Sequence, residues 1–292
     1  SLQPTGRAAL QKLQAKPNVQ TIPVAPLPKL LRQKLVSSIL DLSPSLAHAV
    51  ADRAEGYPLY TVQLLQDWVL RGRLKPSDDG LILDENSSSP LPDSIHKVWH
   101  NAIRRALRQH PASDTHALEI AAILGVRVSM EEWTNVCAHC DSTPSETLLG
   151  TLFRAHLIRP HPGGFSFVHG MLRDSLELSA EEAGRAKNHH RACAQFLMPK
   201  AEHVERVALH LLMAGSLISA MPKLILAAEK RQGIGDLERS RELLERHEAA
   251  VQLGHLPKGH PQQIEGLVRR CYLEISLGTP SSVAESADRL LE

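Results

Sequence analysis

The chain has no G-x-x-x-x-G-K-[ST] segment, the glycine-rich loop whose backbone amides and lysine hold nucleotide phosphates. The nearest spacing, Gly254-His255-Leu256-Pro257-Lys258-Gly259-His260, puts histidine where the lysine is needed, and its proline removes a backbone donor. It reads as a turn. No G-x-S-x-G or H-E-x-x-H constellation occurs, so hydrolase chemistry of those kinds has no carrier. No run approaches the ~18 uninterrupted apolar residues of a membrane span. The opening Ser1-Leu2-Gln3-Pro4-Thr5-Gly6-Arg7 lacks the charged-then-apolar order of a secretory signal. One-sided charge is missing too: Lys+Arg 33 against Asp+Glu 32 leaves no global field to hold nucleic acid or an anionic membrane. These absences predict a cytoplasmic protein. The first residue is not methionine, which fits a piece of something longer.

Cysteine is scarce. Four in 292 residues exclude a disulfide framework and fit a reducing compartment. Cys137-Ala138-His139-Cys140 could place two thiolates on one zinc, but no second C-x-x-C exists, and Cys193 or His189-His190 could complete a site only through a fold contact. A helix end with two half-buried thiols is the expected outcome, with no metal. The sixteen histidines are spread along the chain and read mostly as surface or cap residues.

What is present is enough for a core: 42% of residues are apolar, and the length suggests about two domains. The clearest early strand is 18–24, β-branched and alternating, ending at Pro26-Leu27-Pro28. It would make sense as the last strand of a sheet whose other members lie upstream. Leu27, Leu31, Leu35 and Ile39 recur every four residues as a helical stripe. A second helix starts at Ser43 or Ser45 and stops at Gly56. A third follows Pro58, with Leu59, Val62, Leu65 and Val69 on one face. Residues 76–92 are rich in Asp, Ser, Asn and Pro around Leu81-Ile82-Leu83, and read as a domain boundary carrying a short edge strand. Helices over 94–110, 115–124, 129–138 and 145–155 lead to two strands, Leu157-Ile158-Arg159 and Phe165-Ser166-Phe167, joined by a Pro162-Gly163-Gly164 turn. Helices followed by a hairpin describe a winged helix. From Ser179 the pattern is helical throughout. Gly215 with Ala220, Gly235 with Ser240 and Gly278 with Ala284 repeat a helix stop, a turn and a small residue. The predicted fold is mainly α, in four parts: 1–26, a remnant of a strand region from a nucleotide-binding core; 27–75, a helical lid; 90–178, a winged-helix domain with a small β-hairpin; and 179–292, irregular TPR-like helical hairpins.

Lid, winged helix and helical repeats in that order resemble the carboxy-terminal part of the core of STAND-type signalling ATPases, above all the bacterial modules fused to kinases, cyclases or transcription regulators. Gly56-Tyr57-Pro58 matches the family's G-x-P segment, whose proline packs near adenine. Val168-His169-Gly170 aligns with its M-H-D motif, whose histidine contacts ADP phosphates; Gly170 replaces the aspartate. Leu91-Pro92-Asp93-Ser94-Ile95, Ile120-Ala121-Ala122-Ile123-Leu124-Gly125 and Ala208-Leu209-His210-Leu211-Leu212-Met213-Ala214-Gly215 also look like family landmarks. The resemblance implies a nucleotide-sensing, protein-interaction segment with Gly56, Pro58 and His169 as sensing residues and no catalytic residue. ADP or ATP with Mg would be held by the parent polypeptide and not tightly by this chain alone. The implied partners are an upstream P-loop domain of the same polypeptide and a protein or small-molecule inducer on the repeats. Two alternatives stand beside it. One is a nucleotide-independent helical scaffold. The other is a winged-helix DNA-binding regulator, disfavoured because its recognition-helix candidate, 145–155, carries only Arg154 as a basic residue.

Overall fold

The computed structural model describes residues 16, 19–20, 22–70, 72–84, 95–278, 283–284 and 287–288. The sequence landmark at 91–94 and the polar loop at 86–89 lie outside them. The chain divides into two compact units, Ser1–Arg108 and Gln109–Glu292. The described residues are mostly helical, with two small antiparallel sheets. None of their helices is long and apolar enough to cross a membrane.

In the first unit, helix α1 (Lys29–Ile39) packs on both α2 (Pro44–Arg53) and α3 (Pro58–Leu70). Pro44 and Pro58 each open a helix, where a missing N–H costs nothing. The core gathers Val36, Val50, Ala51, Ala54, Leu64, Leu65 and Trp68. This corrects the apolar stripes read from spacing. Leu31 and Ile39 of α1 and Val62 and Val69 of α3 face solvent, and Val36 is the buried residue of α1. A four-residue repeat marks a face, but which face is covered depends on the neighbouring helices. Strand β1 (Leu74–Ser77) pairs antiparallel with β2 (Gly80–Leu83), and Leu42 bridges to Leu81. A hairpin therefore occupies part of the stretch read as a polar boundary. Helix α4 (Ile95–Ala106) packs on α3, adding Val98 to the same core and an ion pair from Arg105 to Asp67. Residues 22–28 form no strand: Ile22 and Val24 are 76% and 93% exposed, and no strand among the described residues lies beside them.

The second unit begins with α5 (Ala112–Leu124), β3 (Arg127–Ser129), α6 (Met130–His139), α7 (Leu148–Arg154), β4 (Ile158–His161) and β5 (Gly164–Phe167). Its sheet runs β3-β5-β4, both pairings antiparallel. Strand β3 went unread in the sequence. It is three residues long with one buried side chain, Val128, so its identity comes from its partner β5. Trp133 anchors the core between layers: its Nε1–H donates to the Ala117 carbonyl at 2.7 Å, and its ring meets Phe165 edge-on at 5.1 Å. Leu148 and Leu152 of α7 are wholly buried, so its apolar face is core.

Then come α8 (Gly170–Glu182), α9 (Ala186–Leu197), α10 (Val204–Met213), α11 (Leu217–Gly233), α12 (Leu237–Leu253) and α13 (Pro261–Leu277). From α10 onward each helix packs chiefly on its neighbours in sequence. Gly215, Gly235 and Gly278 all adopt positive φ just beyond a helix. Ala220 and Ser240 are wholly buried where successive helices approach, whereas Ala284 is exposed.

Candidate functional site

Gly56 sits in a tight turn between α2 and α3. Its φ of +86° is open to glycine at little cost, and a Cβ there would lie 2.5 Å from the Leu27 carbonyl oxygen. The turn is tied to the segment before α1: the Leu27 amide donates to the Gly56 carbonyl at 2.8 Å, and Arg32 Nε donates to the Leu27 carbonyl at 2.6 Å. Pro58, two residues on, is the exposed first residue of α3, beside exposed Tyr57. A proline ring and an aromatic ring therefore stand in solvent next to a rigid, glycine-dependent turn.

His169 belongs to the second unit. It is the N-cap of α8, reached directly from β5, with an extended backbone (φ −136°, ψ 139°). Its side chain does not cap the helix and is half-buried. Burial, then the positive charge of Arg159, pushes its pKa down, so the ring is neutral at neutral pH. Gly170 follows as the first helical residue with open space around its Cα.

The histidines depart from the sequence reading. Several are buried inside the second unit and hold it together. Glu119, wholly buried on α5, receives Arg185 through two hydrogen bonds of 2.9 and 2.7 Å, and lies 3.2 Å from His189 Nε2. Burial alone would raise the Glu119 pKa, but these partners outweigh it and keep the carboxylate ionised. His190 and His210 meet Nδ1 to Nδ1 at 2.9 Å. Chiefly through burial, their pKa values fall to about 4 and about 3. Asp114, also wholly buried, accepts from the Ser145 amide at 2.7 Å and the Ser145 hydroxyl at 2.6 Å, with His110 Nδ1 at 2.7 Å. Burial opposes ionisation of Asp114, yet these bonds hold its pKa low. His110 Nε2 in turn meets the Thr151 hydroxyl at 3.2 Å. The result ties the start of α5 to the approach and body of α7, a structural clamp between elements ~30–40 residues apart. Partners at such separations leave no local pattern, which is why the sequence did not disclose them.

Cys137 is buried at the end of α6 and Cys140 half-buried just beyond it. Burial pushes the Cys137 thiol up to about 12 and also raises Cys193. Among the described residues no group of three histidine, cysteine or acidic side chains is placed to hold a metal ion. A polar cavity of about 380 Å³ opens beside Cys140, lined also by His116, His139, Arg185, Asn188 and His189. A smaller, more enclosed cavity of about 110 Å³ lies between α12 and α13.

No protein-family model matches the chain, and no curated protein matches it. Among solved structures it is similar to a Signal Transduction ATPase with Numerous Domains (STAND) protein with a tetratricopeptide repeat sensor from Pyrococcus horikoshii, at 13% identity and a TM-score of 0.38. The match covers 96% of this chain and 44% of that one, so this chain spans less than half the length of the protein it resembles.

Proposed function

We propose that this chain is the regulatory, nucleotide-sensing and protein-interaction segment of a STAND-type signalling ATPase, without hydrolytic activity of its own. In this reading 27–75 is the lid, 90–178 is a winged-helix domain, and 179–292 is a TPR-like sensor arm. The observation that carries it is the position of His169. The residue aligned with the M-H-D histidine is the N-cap of the helix that follows the last strand of a small sheet, with a neutral ring at the positive end of that helix. A phosphate there would meet both the ring and the positive end of the helix. The Gly56 turn, fixed to Leu27, would present Pro58 to the adenine.

The switch follows from differential contact. A nucleotide sensed more strongly at Pro58 or at His169 in one state than in the other would favour that state, and its loss or exchange would release it; only a ligand that binds the two states unequally can shift them. ADP or ATP with Mg would be held by an upstream P-loop domain, and a protein or small-molecule inducer would act on the arm. Nucleic acid is not a partner in this reading, since exposed Arg154 is the only basic residue of α7.

The test is nucleotide retention by the natural polypeptide that contains this chain. ADP should co-purify with it, and His169→Ala should speed ADP release about tenfold or more, the loss of one charge-assisted contact. An unchanged release rate, or no bound nucleotide at all, would leave the helical scaffold as the better account.

A further inference from the structure

The cavity between α12 and α13 has features that ordinary helix packing does not require. Its inner wall is His247, 2% exposed, with Leu244, Val251 and Leu267. His247 Nε2 is buried and makes no hydrogen bond of normal geometry, with the Gln262 side chain its nearest partner, and a buried polar atom so poorly satisfied calls for a reason. Across from it stands Gly266, in the middle of a 17-residue helix, where glycine costs about 1 kcal/mol relative to alanine. A Cβ at Gly266 would overlap the His247 ring. The sequence thus accepts a weaker helix to seat an imidazole against this space. At the mouth, Arg270 Nη1 donates to Glu248 at 2.6 Å, so one cation and one anion stand side by side over the opening. A single ordered water occupies roughly 10–15 Å³ of such space, so about 110 Å³ admits a small organic molecule.

We infer that this cavity is a binding site for a free aliphatic α-amino acid, of the leucine, isoleucine and valine class. The ligand's carboxylate takes Arg270 and the His247 Nε2–H. Its ammonium group takes Glu248, and its side chain lies on Leu244, Val251 and Leu267. Zwitterion recognition suits the mouth because the existing Arg270–Glu248 pair opens to give each charge a new opposite partner, with no charge left unpaired. Gln252 and Gln263 also line the space, but Leu244, Val251 and Leu267 offer no hydrogen bond to a polar side chain laid against them, which would lose its water there without replacement. The site lies wholly within the second unit and is independent of the nucleotide-switch reading, since it requires no nucleotide and no other domain.

Calorimetric titration of this chain, without nucleotide, with L-leucine, L-isoleucine, L-valine, L-aspartate and L-lysine tests it. The three aliphatic amino acids should bind saturably with Kd below about 1 mM and the two charged ones should not. Arg270→Gln and Glu248→Gln, both at the partly exposed rim, should each weaken leucine binding at least about tenfold with native circular dichroism. Arg269→Gln, which removes an ion pair with Glu229 away from the cavity, should leave it unchanged. Gly266→Val should abolish binding by driving His247 into the space. Absence of saturable binding up to about 5 mM, or a Kd unmoved by Arg270→Gln, would overturn the assignment.

Discussion

Acidification should loosen the second unit well before its buried carboxylates take up protons, because of one pair of histidines. His190 and His210 meet Nδ1 to Nδ1 at 2.9 Å, so the bond exists only while one ring donates and the other accepts; a proton on the acceptor destroys it. Burial holds their folded pKa values near about 4 and about 3, against 6.5 in an unfolded chain. For a base whose folded pKa is depressed, the unfolded state binds more protons between the two values. Stability is therefore full above pH 6.5 and falls as the pH drops through that window. Two fully buried groups would lose about 2.7 kcal/mol per pH unit; allowing for the partial exposure of His190, about 2 is expected, or about 3 kcal/mol between pH 6.5 and 5. Amide hydrogen exchange over residues 186–213, corrected for intrinsic rates, reads this directly. The double variant His190→Leu, His210→Leu should keep only the smaller slope that His116, His169 and His247, also depressed by burial, give both proteins. Equal losses in the two proteins, or no loss in the unsubstituted one, would refute the reasoning.

Gly56→Ala should destabilise the first unit by about 2–3 kcal/mol, since alanine would be strained at φ +86° and its methyl would press on the Leu27 carbonyl; Trp68 fluorescence during urea unfolding checks this. Glu119→Ala leaves Arg185 and His189 facing an empty buried site and should cost about 3 kcal/mol, with Glu119→Gln recovering part of it; thermal unfolding of both variants decides. Cys137 and Cys193, held as neutral thiols by burial, should resist N-ethylmaleimide in the native protein and react only on unfolding, as read by mass spectrometry of the labelled peptides.

The helical character of the chain was legible because helix boundaries are written locally. Pro44 and Pro58 open helices, Gly215, Gly235 and Gly278 close them, and the Pro162-Gly163-Gly164 turn set the β4–β5 hairpin. What escaped depends on partners distant in the chain. Strand β3 exists through its pairing with β5, some forty residues on. The exposed leucines of α1 show that periodicity alone does not say which face is covered. The same holds for the candidate sites. Gly56, Pro58 and His169 were singled out by their resemblance to family motifs, whereas His247 became conspicuous only once Gly266 lay opposite it. A glycine inside a helical pattern was the available signal, and it points to close packing without saying what is packed.

The stacking of α9 to α13 also determines how this part of the molecule would answer a pull. Among the described residues helix α13 packs chiefly on α12 and α11, whereas α9 is clamped by α5, α6, α8 and α10. Tension applied beyond α13 would peel one helix at a time from the far end, while the base stays anchored. Each 17-residue helix released would lengthen the chain by about 30 Å, the difference between a helical and an extended path. Such an arm pays out slack in discrete increments and shields the sheet and the His169 region from load until the last of them is spent.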